Sequence, residues 1–249
     1  MKKGLLLLVA SLVSFASINS VAAEETTSDT ITNRSGVVIP IEKYNALKSI
    51  YSDNFMNYMT QEEYNIIKDK DLSKVVIKEI TDANLNSSTS TRATEHTTSS
   101  KSLRIINNDG YVTMSLTWYR VPTIKKWDVM AFRKNTSVSM SNVYFFRQYY
   151  IDTNNNFKLS TEKYGQNFDN GVGATFKVQN GSSHEMELSM EFSGSGRVYG
   201  SYQHASNSKA TLADAMDYTL SGSGFGGVIL FNEAIESKFD GMGGVYLTL

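Results

Sequence analysis

The sequence predicts a mainly β protein, an antiparallel β-sandwich of jelly-roll type preceded by a short helical unit. Three observations carry that expectation. Residues 103–249 alternate apolar and polar side chains with a period of two, most cleanly over 185–192. There Met186, Leu188, Met190 and Phe192 interleave with Glu185, Glu187, Ser189 and Glu191. Clusters of Asp, Asn, Gly and Ser separate the alternating stretches, at 152–156, 169–171, 180–183, 206–208 and 240–244. The alternation is also one-sided, which fits antiparallel strands with one face on a core and not parallel strands buried on both faces. Short strands punctuated in this way build sandwiches or barrels.

The chain opens with the grammar of a secretory signal peptide over residues 1–23. Lys2 and Lys3 form a basic start, an apolar run extends from Leu5 to Ile18, and Val21-Ala22-Ala23 offers small residues for cleavage between Ala23 and Glu24. A membrane-spanning helix needs about 20 apolar residues, and this run is shorter. The expected location is therefore secreted and extracellular. Residues 24–36 are polar and aperiodic, as a flexible terminus would be.

Residues 24–85 are expected to form a helical N-terminal unit or pro-region. Ile41, Tyr44, Leu47, Ile50 and Tyr51 recur at helical spacing behind Pro40, a residue suited to a helix start. Thr60 and Glu63 have the spacing of a capping box, and Tyr64 and Ile67 continue an apolar stripe after it. Residues 72–80 fit a helix or a strand. Residues 86–102 hold 11 Ser or Thr among 17. Such a stretch buries too little apolar surface to offset its ordering entropy, so it is expected to be a linker. The β-sandwich domain then occupies 103–249, with strands expected at 111–118, 127–134, 143–151, 173–178, 185–192, 196–202, 216–221, 226–231 and 245–249.

Composition narrows the chemistry. The chain has no cysteine, which removes disulfides, thiolate zinc sites and cysteine nucleophiles. Its stability must come from a hydrophobic core. The formal net charge is −1 and becomes more negative without Lys2 and Lys3. With no basic patch, a nucleic-acid partner is not expected.

Leu116-Thr-Trp118, Trp127-Asp-Val129, Val198 to Ala205, Gly226-Gly-Val228 and Lys238 to Met242 cover much of 110–249. On these residues the chain resembles an uncharacterised family of small secreted Gram-positive bacterial proteins with a C-terminal β domain. The resemblance implies no catalytic residue.

Catalytic and metal motifs are incomplete. Of the three histidines, His96 lies in the linker. His184 begins a zincin-like His-Glu but lacks the second histidine, and its segment reads as a strand instead of the helix that motif needs. His204 could pair with Ser201 or with an aspartate elsewhere, but a buried or rim histidine with a structural hydrogen bond is the favoured reading. Asp152, Asn154 and Asn156 open like a calcium loop, but Phe157 stands where glycine is required and Lys163 where the bidentate acid belongs. A hairpin turn explains the same residues. Glu185, Glu187 and Glu191 could supply paired carboxylates but read as a solvated strand face. Gly222 to Gly227 lacks the lysine of a phosphate loop. No metal, no cofactor and no catalytic residue is expected.

Aromatic residues remain. Tyr119, Trp127, Tyr149, Tyr150, Tyr199 and Tyr202 fall at strand ends or beside turns, where they can bind a sugar ring or a protein partner, or pack between strands. The expected function is non-catalytic binding of an extracellular glycan or protein. One alternative is a secreted toxin or bacteriocin-like effector, the only case with membrane contact; a second is a hydrolase.

Overall fold

The computed structural model describes residues 29–81, 100–221, 228–241 and 244–249. The signal peptide with its Ala23–Glu24 cleavage point, most of the Ser/Thr-rich segment with His96, and the Gly222–Gly227 stretch lie outside the described residues. So do Met242 and Gly243.

Two six-stranded antiparallel sheets face each other across a common core. The first has β3 (Val76–Thr81), β4 (Lys101–Asn108), β5 (Tyr111–Trp118), β11 (Gly181–Gly194), β7 (Val138–Asp152) and β8 (Phe157–Leu159), in that order. The second has β15 (Phe239–Gly241), β12 (Arg197–Ala205), β6 (Trp127–Lys134), β10 (Gly171–Lys177) and β9 (Lys163–Phe168), with β16 (Val245–Thr248) also paired to β12. The predicted β-sandwich is the observed fold.

Period-two patterning explains the core. Val112, Met114, Leu116 and Trp118 of β5 meet Met186, Leu188, Met190 and Phe192 of β11 on one inner face. Met130 and Phe132 of β6, Val172, Ala174 and Phe176 of β10, and Val198 and Tyr202 of β12 line the other. The β4–β5 hairpin turns at Asp109 and Gly110, with φ of 47° and 92°. Positive φ at both central residues matches the twist of paired strands, and Asp-Gly is a favoured pair for it. A Cβ on Gly110 would also stand 2.6 Å from the Phe192 carbonyl oxygen.

The helical stretch consists of three short helices. These are α1 (Ile41–Lys48), α2 (Asp53–Tyr58) and α3 (Gln61–Ile67). Ser52 caps α2 by accepting from the Phe55 amide at 3.1 Å. The Thr60–Glu63 capping box forms as expected, with the Thr60 amide donating to Glu63 at 2.9 Å. Each polar cap restarts the helix and so bends the chain around the sheet. A short hairpin of β1 (Thr30–Thr32) and β2 (Val38–Pro40) precedes them. Part of the stretch expected to be a polar, flexible terminus is therefore ordered, because Asn33 anchors it through bonds to the carbonyls of Met56 and Met59 at 3.0 and 2.8 Å.

Residues 72–80 resolve into a 3₁₀ turn at Leu72–Lys74 followed by β3, which pairs with β4. Strand β4 itself starts at Lys101, two residues before the expected boundary of the β region.

This N-terminal layer covers the outer face of the first sheet. Leu47, Phe55, Met56, Met59 and Ile67 pack there with Ile106 and Tyr111 from the sheet. Consequently the glutamate row of β11 is not the solvated face that alternation suggested. Glu187 is 1% exposed. It accepts from Tyr149 Oη at 2.9 Å and from Arg147 Nε at 3.3 Å. Arg147 also grips the fully buried Glu63 with both terminal nitrogens, Nη2 to Oε1 at 2.6 Å and Nη1 to Oε2. Asn54 bonds Glu185 at 2.6 Å and Lys70 bonds Glu191 at 2.6 Å. Period two predicts which side of a strand a residue occupies; it does not say whether water or another layer lies there.

The outer face of the second sheet is covered in the same way. The layer comprises α4 (Leu212–Met216), the hairpin of β13 (Tyr218–Leu220) and β14 (Ile229–Phe231), and α5 (Glu233–Glu236). Ala215, Tyr218 and Ile229 pack there on Trp127, Val129 and Ala131.

Candidate functional site

At one end of the sandwich the inner faces carry polar residues. Strand β6 places Asp128 inward, in line with Met130 and Phe132, where an apolar side chain would fit the pattern. Asp128 is fully buried. A buried carboxylate needs donors, and Asp128 has three: Tyr202 Oη, His204 Nδ1 at 2.7 Å and the Ala205 amide at 3.4 Å. Tyr202 Oη in turn accepts from the Trp118 indole at 3.0 Å. The carboxylate thus holds the Nδ1–H of His204 and leaves Nε2 as the ring's remaining polar atom. The Trp118 and His204 rings meet edge to face, 5.1 Å apart.

Above this network a cavity of about 310 Å³ opens between the two sheets. The first sheet lines it with Lys101 and Trp118, joined by Ser100 just before β4, the β5–β6 connection with Arg120 to Ile124, and the second sheet with His204 and Asp240, joined by Ser206 just after β12. Lys101 Nζ lies 4.6 Å from the Trp118 ring centre. Ser206 Oγ donates to the Lys238 carbonyl at 3.4 Å, so its hydroxyl is engaged away from His204.

The six aromatic candidates do not converge. Tyr149 and Tyr202 are interior residues, the former under the helical layer and the latter in the core. Trp127 is buried on the outer face of the second sheet, stacked beneath Lys177 at 5.1 Å and beside Tyr164. Tyr199 packs between Arg133 and Tyr246 on that outer face. Tyr150 is half-buried and stacks on His184 at 5.8 Å. Only Tyr119 stands out into solvent, 58% exposed; it is next in the chain to the cavity-lining Arg120, but its hydroxyl lies 3.1 Å from Ser102, on the opposite side of the strand from Trp118. Ring type and proximity to a turn do not distinguish inner from outer faces; parity along each strand does.

The other candidates resolve individually. Ser201 lies on the outer face of β12, opposite in parity to His204, so the two cannot pair. His184 is fully buried on β11, and burial pushes its imidazole down to about 4. Asp152 makes an Asx turn, accepting from the Asn154 and Asn156 amides at 2.9 and 2.8 Å. These bonds cap the β7–β8 turn. Among the described residues no three His, Asp or Glu side chains cluster as metal ligands. Arg120, Asp128 and Asp240 were not singled out by sequence reasoning. Asp128 had a readable sign, a charge at an inward position of an alternating strand; Arg120 and Asp240 had none.

No protein-family model matches the chain, and no curated protein matches it. Among solved structures it is similar to the KRT10-binding region domain of the pneumococcal serine rich repeat protein PsrP. That match has 11% identity over 71% of this chain and 99% of that one, with a TM-score of 0.33. It is also similar to the ACE19 collagen binding subdomain of the Enterococcus faecalis surface protein ACE, at 8% identity over 57% and 87%, TM-score 0.29. A third similarity is to the collagen-binding domain of a Staphylococcus aureus adhesin, at 8% identity over 37% and 75%, TM-score 0.26.

Proposed function

We propose that this is an exported, non-catalytic binding protein that holds a protein partner at the open end of its sandwich. The observation that supports it best is the cavity between the sheets, rimmed by the exposed Arg120, with the exposed Tyr119 next to it in the chain, and floored by a network whose members are already hydrogen-bonded. A pre-formed concave site with an arginine at its mouth and an exposed aromatic beside that arginine has the composition of a protein-interface anchor. A protein suits it better than a sugar. The Trp118 ring is 4% exposed and carries Lys101 on its face, so it offers no open surface for stacking.

The test is direct binding of the wild-type protein, Tyr119→Ala and Arg120→Ala to purified extracellular proteins and to free glycans. Both substitutions are at exposed positions, so melting temperature should not move. Binding to a protein should weaken at least about tenfold in each variant, the loss typical of an interface anchor. Binding confined to glycans, or unaffected by both substitutions, would overturn the proposal.

One observation favours a hydrolase instead: the Asp128–His204 pair, with Ser206 and Ser100 on the cavity wall. A serine nucleophile must be bonded to its base, and Ser206 is turned to the Lys238 carbonyl. A fluorophosphonate probe should therefore leave the protein unlabelled. Labelling at Ser206 that disappears in His204→Ala would establish the enzyme. A membrane-inserting toxin gains no support from the long strands β7 and β11. They pair with each other inside the first sheet, and β11 is covered on both faces. Among the described residues no helix is long and apolar enough to cross a membrane.

A further inference from the structure

The charges lining the cavity are segregated by sheet. Lys101 at the start of β4 and Arg120 just beyond β5 form the lip on the side of the first sheet. Asp240 on β15 forms the facing lip, and on the same side His204 stands over the buried Asp128. Arg120 and Asp240 line the same cavity, yet they make no ion pair with each other and neither side chain is hydrogen-bonded among the described residues. Two opposite charges facing one space without neutralising each other set up a field across it. The ligand that complements this field is itself dipolar.

Resting on the reading of this cavity as the partner site, we propose that it takes a dipolar segment of the partner, an acidic and a basic side chain presented together. The acidic group seats against Arg120, whose planar guanidinium suits a carboxylate. The basic group seats against Asp240, with His204 Nε2 beside it as an acceptor when the ring is neutral. A volume of about 310 Å³ is at the lower end for small-molecule sites. It accommodates two side chains and leaves the partner's backbone outside.

The experiment is an NMR titration of the mature chain with the blocked tripeptide acetyl-Asp-Ser-Lys-amide. Two controls replace its Asp with Asn or its Lys with norleucine. Expected are shifts concentrated at the Trp118 indole, Arg120, His204 and Asp240, with affinity falling about tenfold for either control peptide. Arg120→Gln should erase discrimination against the Asn peptide alone, and Asp240→Asn discrimination against the norleucine peptide alone. Three results would overturn the proposal: no shifts at the cavity, shifts indifferent to both charges, or dependence on one charge only. If Tyr119→Ala and Arg120→Ala still weaken protein binding, such a result removes the dipolar ligand and leaves the partner site standing. If they do not, the site itself has failed.

Discussion

Replacing Arg147 with Met is expected to destabilise the protein by about 3–5 kcal/mol, a large part of the roughly 5–15 kcal/mol that holds a typical domain. The Arg147 side chain is 11% exposed, and its guanidinium lies between the carboxyl groups of Glu63 and Glu187, whose side chains are 0% and 1% exposed. Burial opposes its charge, but Glu63, with Tyr149 and Glu187, overrides that and holds it well above its ordinary value. Met fills most of the same volume, so the loss is electrostatic. Glu63 is left without its cation between α3 and the first sheet, and water cannot reach it. Because the pair joins two layers, amide hydrogen exchange over 41–67 should accelerate more than over β5 and β11. Adding Glu63→Gln to Arg147→Met should recover much of the loss, since the stranded charge is gone. Urea denaturation of the three proteins measures this. A cost below about 1 kcal/mol for Arg147→Met would mean that the ion pair does not join the layers.

The second large effect is a dependence of stability on pH that Glu187→Gln removes. Burial, opposed by Arg147 and reinforced by Glu185, raises the Glu187 carboxyl from an ordinary 4.5 to about 8. The folded protein therefore holds a proton that the unfolded chain releases above 4.5. Stability from this group is complete below 4.5 and is lost as pH rises from there through 8, by at most about 1.4 kcal/mol per pH unit. His184 works in the opposite sense: lowered from 6.5 to about 4, it adds stability as pH rises from 4 to 6.5. The two contributions oppose each other up to about 6.5, and above that only Glu187 acts. Wild-type stability should be nearly level from 4.5 to 6.5 and then fall towards pH 8. In Glu187→Gln the fall should vanish, because the amide keeps the Tyr149 bond without taking a charge. Parallel wild-type and variant curves between pH 6.5 and 8 would show that Glu187 is ionised in the fold.

Strand parity was legible in the residues themselves. The inner faces of β5 and β11, the sandwich they build and the Thr60–Glu63 cap all follow from periodicity and local hydrogen-bonding chemistry, which act between near neighbours in the chain. What lies against each outer face does not. Glu187 and Arg147 are 40 residues apart and Arg147 and Glu63 are 84 apart, and only the packing of α2 and α3 on the sheet turns an apparently solvated glutamate row into a buried ion cluster. The same limit separates the aromatic candidates. Tyr119, Tyr149 and Tyr202 look alike in sequence, yet one stands out into solvent and two are interior. Asp128 and His204 are 76 residues apart and meet because β6 and β12 are neighbours in register. Local interactions determine which side of a strand a residue occupies. Which layer, water or partner it meets there is decided by long-range pairing, a property of the assembled sheets.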